Sequence, residues 1–291
     1  MQYRKIDNLV ECEYNKFRAN VHSQCGEDGV IGYLLGLAGI SEGYFVEFGA
    51  WDGKHLSNSA LLAEKGWAGC FIEGDVVRFQ DLLTNYGKNS KISPVNAYVT
   101  SNGGNSLDEI LKRVKAPKEI TLLSIDIDGN DYHVWAALKE FSALLCVIEF
   151  NPTIPADVVF VQDNNLELNF GNSLAALWEL SVAKGYALVA ATDWNAFFMP
   201  KTICDKYSIP VYLPMQVKST KYESAFFQGY NGKIIVDGFN ELLWHGIKFD
   251  NDKFQLLPKA LQEIPAGQNE KYYKEFHSFK SKLSDKTKVV Y

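Results

Sequence analysis

No apolar run in this chain of 291 residues approaches the ~18 residues that a membrane-spanning helix needs. The opening stretch, Met1 to Glu13, is too charged for a signal peptide, so the sequence reads as cytoplasmic. Basic residues are outnumbered: 29 Lys and Arg stand against 35 Asp and Glu, for a formal charge of −6. That argues against a broad nucleic-acid footprint, which needs concentrated Lys and Arg, although a local basic patch is compatible with it. The five cysteines, Cys12, Cys25, Cys70, Cys146 and Cys204, are odd in number and scattered with no C-x-x-C pair. Neither a disulfide framework nor a cysteine zinc site is suggested. Repeats and low-complexity linkers are also absent. What remains, 47% hydrophobic and 22% charged residues, describes one large globular domain with additions.

The most informative segment runs Tyr44-Phe45-Val46-Glu47-Phe48-Gly49-Ala50-Trp51-Asp52-Gly53. It is a buried-strand pattern that ends in an acid and two glycines. Gly49 and Gly53 let the backbone turn sharply and approach a ligand closely, and Glu47 can accept hydrogen bonds within the loop or from a cofactor ammonium. The spacing E-x-G-x-x-x-G is not the G-x-G-x-x-G that carries a dinucleotide pyrophosphate, so S-adenosylmethionine fits better than NAD. A glycine after a strand also makes an ordinary tight turn. Some twenty residues on, Gly69-Cys70-Phe71-Ile72-Glu73-Gly74-Asp75 ends a second apolar strand in acids. Glu73 is placed to accept both ribose hydroxyls of an adenosyl cofactor. Glu73 and Asp75 also suit a helix start, where acids favour the macrodipole.

Strand and helix patterns alternate from 44 to 150. Strands are expected at 44–48, 69–73, 92–99, 120–126 and 144–150, and helices at 56–66, 76–86, 106–115 and 131–141. Such alternation means crossover units and a mostly parallel sheet covered on both faces. The near-continuous apolar runs 122–128 and 144–150, both ending in acids, read as central buried strands. Ligands sit beyond the carboxyl ends of strands in open α/β sheets, so Glu47, Glu73, Asp126 with Asp128, and Glu149 would converge on one crevice. The rhythm breaks over 151–172, where Pro152, Pro155 and several Asn and Asp suggest an irregular insertion over the strand ends, a substrate lid. Ser173 then caps a helix that Gly185 ends, and strands follow at 187–191 and 196–199. The expected organisation is an N-terminal helical cover over 1–40, a core over 41–200, and an aromatic-rich extension over 201–291 serving as cap or homo-oligomer contact.

Taken together, Ser23-Gln24-Cys25-Gly26-Glu27-Asp28-Gly29, Phe45-Val46-Glu47-Phe48-Gly49-Ala50, Phe71-Ile72-Glu73, Ser124-Ile125-Asp126-Ile127-Asp128-Gly129, Ser173-Leu174-Ala175-Ala176-Leu177 and Asn195-Ala196-Phe197-Phe198 resemble FkbM-type S-adenosylmethionine-dependent O-methyltransferases. The resemblance spans roughly residues 20–200. It implies a class I methyltransferase fold, Rossmann-like, with a seven-stranded, mostly parallel sheet whose last strand is antiparallel. The implied activity is methylation of a hydroxyl on a sugar, sugar-nucleotide or other natural-product scaffold. On the cofactor side it implies Glu47, Gly49, Ala50, Gly53, the ribose acid Glu73, Asn96 and Ala97 beside the adenine, Asp126, and Gln24 from a segment closing over the cofactor.

One segment departs from that pattern. Asp126-Ile127-Asp128-Gly129-Asn130-Asp131-Tyr132-His133 is similar in part to the metal-dependent macrocin-type sugar O-methyltransferases, and the next strand ends Glu149-Phe150-Asn151. Asp128, Glu149 and Asn151 would then offer three oxygens to Mg²⁺ or Mn²⁺. Asp128 and Asp131 also fit as caps of the following helix. An alcohol is a poor nucleophile at neutral pH, which makes a base useful. His133 is the candidate, or Asp128 if no metal binds, and His133 also fits as a packed or surface residue. Trp51, Tyr132 and Trp194 lie by strand ends and would suit stacking on a sugar, while core packing is the commoner use of aromatics. Two other readings stay open: a non-catalytic cofactor-binding or assembly subunit of the same fold, and an NAD-dependent oxidoreductase.

Overall fold

The computed structural model describes residues 10–284 apart from 264, 266 and 268. The expectations for the start of the N-terminal cover and for the last residues of the extension lie outside the described residues. Two compact units are present, one ending at Thr220 and the other starting at Lys221.

The larger unit is built on seven strands: β1 Tyr44–Phe48, β2 Ala68–Glu73, β3 Ile92–Asn96, β4 Glu119–Ile125, β5 Ser142–Glu149, β6 Tyr186–Ala191 and β7 Asn195–Pro200. Their order is β3-β2-β1-β4-β5-β7-β6, and β7 runs antiparallel to both its neighbours. This is the class I methyltransferase arrangement expected from the sequence. Its centre is apolar on both faces, as a parallel sheet covered by helices must be. Phe45, Val46, Phe48, Leu122, Leu123, Leu145, Cys146, Val147 and Ile148 are fully buried. Each large aliphatic or aromatic side chain so buried contributes about 1.5–3 kcal/mol relative to exposure. The covering helices are α1 Glu27–Leu37, α2 Ala60–Glu64, α3 Val76–Tyr86, α4 Leu107–Arg113, α5 Asp131–Ala137, α6 Leu174–Ala183, α7 Lys201–Tyr207 and α8 Pro214–Val217.

Several elements are shorter than the periodicity predicts, and in each case a polar side chain intervenes. The helix expected over 56–66 is only Ala60–Glu64, because Glu47 takes the N–H groups of Asn58 and Ser59 and Leu56 adopts a left-handed φ of 55°. The helix expected to reach 141 stops at Ala137, where Leu138 is extended and the Asp108 carboxylate accepts from the N–H groups of Lys139 and Glu140. β3 ends at Asn96 rather than 99, since the Asn96 amide turns back to the Glu73 carbonyl at 2.8 Å. The sheet unit continues past Pro200: Lys201 N–H bonds to Gly185 O, and Tyr212 N–H to Leu188 O.

The unit that starts at Lys221 holds two hairpins, β8 Ser224–Gln228 with β9 Ile234–Gly238 and β10 Glu241–Leu242 with β11 Ile247–Lys248, and the helix α9 Glu270–Ser284. Phe226, Phe249 and Phe254 pack edge to face at centroid distances of 5.7–6.2 Å. Among the described residues no helix is long and apolar enough to cross a membrane. None of the five cysteines is in a disulfide, and Cys70 and Cys146 are packed within β2 and β5.

Candidate functional site

The chain proceeds outward from β1 to β2 and β3, then crosses back to place β4 on the other side of β1. The carboxyl ends of β1 and β4 therefore flank the switch point of the sheet, where open α/β folds bind ligands. Gly49 makes this geometry sterically feasible. Its φ is +76°, and a Cβ there would lie 1.7 Å from the Asp126 carbonyl oxygen. Gly53, at φ +73°, instead faces Tyr86 and Leu82 of α3, so its lack of a side chain serves helix packing.

Glu47 is buried, and its carboxylate accepts from Ser57 Oγ (2.7 Å), Asn58 N (3.0 Å) and Ser59 N (3.0 Å). Burial raises its pKa, and these donors oppose the shift. Of the two uses expected for Glu47, the structure fills the one within the loop. Glu73 ties two loops together, accepting from Trp51 N and Asp75 N at 2.7 Å each. Asn96 and Ala97 close the end of β2 by donating to the Glu73 carbonyl. Ala50 is buried, and its N–H bonds to Ile72 O. Gln24 is exposed, and its carbonyl accepts from the Asn20 amide. Trp51 stands at the rim with the Arg78 guanidinium 4.3 Å over its ring.

On the other side of the switch point, Asp131 shapes the loop after β4. Its two oxygens accept from Ile127 N and Gly129 N at 2.9 Å each, and this turn presents Asp128 in a left-handed conformation, φ 58°. Asp131 is buried, and desolvation lifts its pKa to about 6. Asp126, Asp128 and Glu149 each offer one carboxylate oxygen, all within 4.8 Å of one another. Among the described residues no lysine, arginine or histidine forms an ion pair with them. Burial first, then the charges of the neighbouring acids, raises the pKa of Asp126 and of Glu149. Crowded carboxyls without a compensating cation suit a hard divalent ion, which prefers oxygen donors.

Asn151 follows β5, but its amide is engaged within the chain. Oδ1 accepts from Thr153 N (2.9 Å) and Thr153 Oγ1 (2.7 Å), and Nδ2 donates to Phe170 O (2.8 Å). Asp126, which the sequence reading placed on the cofactor side, stands beside Asp128 and Glu149 in its stead. His133 is half-buried with Nε2 2.7 Å from the Gln162 carbonyl oxygen. That bond needs the proton on Nε2, which leaves Nδ1 as the basic nitrogen.

Residues 151–172 form a strap across these strand ends. Asn151 N donates to Asn172 O beyond β5. Asn172 Nδ2 donates to the carbonyl of Gly129 beyond β4, and Asn164 Nδ2 to Ser101 Oγ beyond β3. The buried Gln162 organises it, donating to Asn130 Oδ1 and Leu168 O and accepting from Phe170 N and Gly171 N. No local pattern in the sequence marks Gln162 apart from other polar loop residues, and Asp131, expected as a cap of the following helix, holds the loop before it instead.

No family model and no curated protein matches the sequence. Among solved structures the chain is similar to a putative caffeoyl-CoA O-methyltransferase from Staphylococcus aureus, at 14% identity over 65% of this chain and 88% of that one, with a TM-score of 0.42. It is also similar to an O-methyltransferase from Bacillus cereus in complex with SAH, at 13% identity over 62% and 82% of the two chains, TM-score 0.41. The N-terminal domain of EvdMO1 with SAH bound is similar at 9% identity over 59% and 78%, TM-score 0.39. At such identity and overlap these likenesses add nothing to what the strand order establishes about the fold.

Proposed function

We propose that the chain is an S-adenosylmethionine-dependent O-methyltransferase acting on a hydroxyl of a sugar, sugar-nucleotide or glycan precursor, as its FkbM-type motifs imply. The observation that carries this reading is the pairing of two environments across one switch point. On the β1–β2 side, the close-approach glycine Gly49, Ala50, and the loops held by Glu73 and Asn96 suit an adenosyl cofactor. On the β4–β5 side, three clustered carboxyl oxygens suit an acceptor hydroxyl.

The chemistry asks for little more. The acceptor oxygen attacks the sulfonium methyl in line; an O–CH₃ bond forms, the S–CH₃ bond breaks, and S-adenosylhomocysteine and one proton leave. Where no metal binds, Asp128, the exposed member of the cluster, takes the role of proton acceptor; His133 would act only through Nδ1. The uncompensated carboxyls fit Mg²⁺ or Mn²⁺, with Asp126, Asp128 and Glu149 as ligands. Such an ion, when bound, lowers the pKa of a hydroxyl placed on it.

Calorimetric titration with S-adenosylhomocysteine, repeated with Mn²⁺ present, tests the reading. Micromolar binding is expected, and a dependence on Mn²⁺ would support the acidic cluster as its site. A folded sample that binds no S-adenosylhomocysteine under either condition overturns the assignment.

A further inference from the structure

We propose that Asn195 supplies a fourth oxygen to a divalent cation held by Asp126, Asp128 and Glu149; the inference rests on the cation reading of that cluster. Asn195 opens β7 and stands directly opposite Glu149 in the antiparallel β5–β7 pair. Residues so opposed project from the same face of the sheet with Cβ atoms about 4.5–5.5 Å apart. Glu149 is thus flanked on one side by Asp126, whose carboxyl shares a hydrogen bond with it, and on the other by Asn195.

Asn195 is 5% exposed, and among the described residues its Oδ1 has no hydrogen-bond partner. A buried amide oxygen left unpaired is unfavourable and uncommon in folded proteins. The orientation of the amide is set from its other end. Nδ2 donates to Glu27 Oε1 at 3.3 Å, and Thr192 Oγ1 donates to the same oxygen at 2.6 Å while accepting from Asn195 N at 3.0 Å. With the NH₂ turned to the start of α1, the oxygen is the group left for the Glu149 side. Glu27 and Thr192 are therefore positioning residues, and Asn195 is the donor.

The chemistry of the set agrees. Three carboxylates already exceed the charge of a divalent ion, so a fourth ligand is better neutral, and amide oxygens are ordinary ligands of hard cations. Asn151, the other asparagine near β5, has both ends of its amide engaged in the strap. The motif Asn195-Ala196-Phe197-Phe198 thereby gains a role: its apolar members are core, and its first residue reaches the site.

The test is a Mn²⁺ titration of the full chain, read as free Mn²⁺ by electron paramagnetic resonance. Asn195→Ala should raise the Mn²⁺ dissociation constant about tenfold or more, as loss of a ligand or its support does. Its affinity for S-adenosylhomocysteine without metal should stay within about twofold of the original chain. An N195D change combined with Glu27→Gln, which spares the new carboxylate a like charge, should retain or tighten Mn²⁺ binding. Equal Mn²⁺ affinity in Asn195→Ala and the original chain overturns the assignment and leaves Oδ1 to a protonated Glu149. If Asn195→Ala does not fold, a loss of Mn²⁺ affinity in the double variant overturns it. If the original chain binds no Mn²⁺, the cation reading falls and this inference with it, while the S-adenosylhomocysteine titration reports separately on the methyltransferase reading.

Discussion

Gly49 and Asp126 touch across the central strand pair, with the α-carbon of one turned onto the carbonyl of the other so closely that a Cβ would sit 1.7 Å from that oxygen. The contact joins the loop after β1 to the end of β4 at the switch point, and it requires glycine twice, for space and for a φ of +76°. Gly49→Ala should therefore destabilise the fold by ~3 kcal/mol or more, from left-handed strain plus a backbone clash. For a unit of this size that corresponds to a fall in melting temperature of roughly 6–12 °C. A thermal melt within about 2 °C of the original chain would show that the loop relaxes without loss.

Glu73 holds two loop N–H groups, those of Trp51 and Asp75, and is only 6% exposed. Its replacement by Ala leaves both donors without their acceptor, at ~1–3 kcal/mol each if they stay buried. The cofactor reading predicts at least a tenfold loss of S-adenosylhomocysteine affinity, about 1.4 kcal/mol. Glu73→Gln, which keeps one acceptor oxygen, should fall between. Calorimetry on the two variants checks the order, and unchanged affinity in Glu73→Ala would remove Glu73 from the cofactor side.

Much of the sheet was legible because its information is local. Apolar runs such as 144–148, bounded by acids and turn residues, specify buried parallel strands wherever they occur, and alternation with helical patterns specifies crossovers. The strand-end acids were legible for the same reason. What escaped was anything decided by a partner distant in sequence. Glu47 shortens α2 through Asn58 and Ser59, and Asp108 receives the backbone of Lys139 and Glu140 thirty residues away. Asn151 has the same residue type and neighbourhood as a metal ligand, yet Thr153 and Phe170 engage its amide. Which asparagine has a free oxygen depends on three-dimensional pairing, which one-dimensional spacing does not carry.

Gln162 is a central organiser of the strap. Its buried amide makes four hydrogen bonds, to Asn130, Leu168, Phe170 and Gly171, and its own carbonyl receives His133. Gln162→Ala should cost ~2–4 kcal/mol locally. Because β1, β4 and β5 do not rely on these bonds, the loss should appear as opening of 151–172 rather than global unfolding. Limited proteolysis should then cut within 151–172 in the variant while the rest of the sheet unit stays intact. Equal protection in variant and original chain would mean that the strap is held by other contacts.

Asp126 and Glu149 make the apo fold sensitive to pH in a direction opposite to that of paired carboxylates. Burial and the neighbouring acids raise both pKa values, and Asp131 is raised from 3.8 to about 6. A carboxyl whose pKa is higher in the folded state binds more protons there than in the unfolded chain. Its contribution to stability is complete below the unfolded pKa and is lost as pH rises through the folded value. For Asp131 that window runs from about 4 to about 6, and the Asp126–Glu149 pair acts in the same sense. Without divalent metal, stability should therefore fall as pH is raised from 5 to 8, and Asp126→Asn, which removes one of the crowded charges, should melt above the original chain at pH 8. A gain of ~1 kcal/mol would appear as roughly 2–4 °C. Added Mn²⁺ should reverse the order, since a cation bound to the original carboxyls stabilises the folded state by mass action. Differential scanning fluorimetry at pH 5 and 8, with chelator or Mn²⁺, checks all four conditions. An Asp126→Asn chain that melts below the original at pH 8 in chelator would show that the cluster is already compensated within the protein.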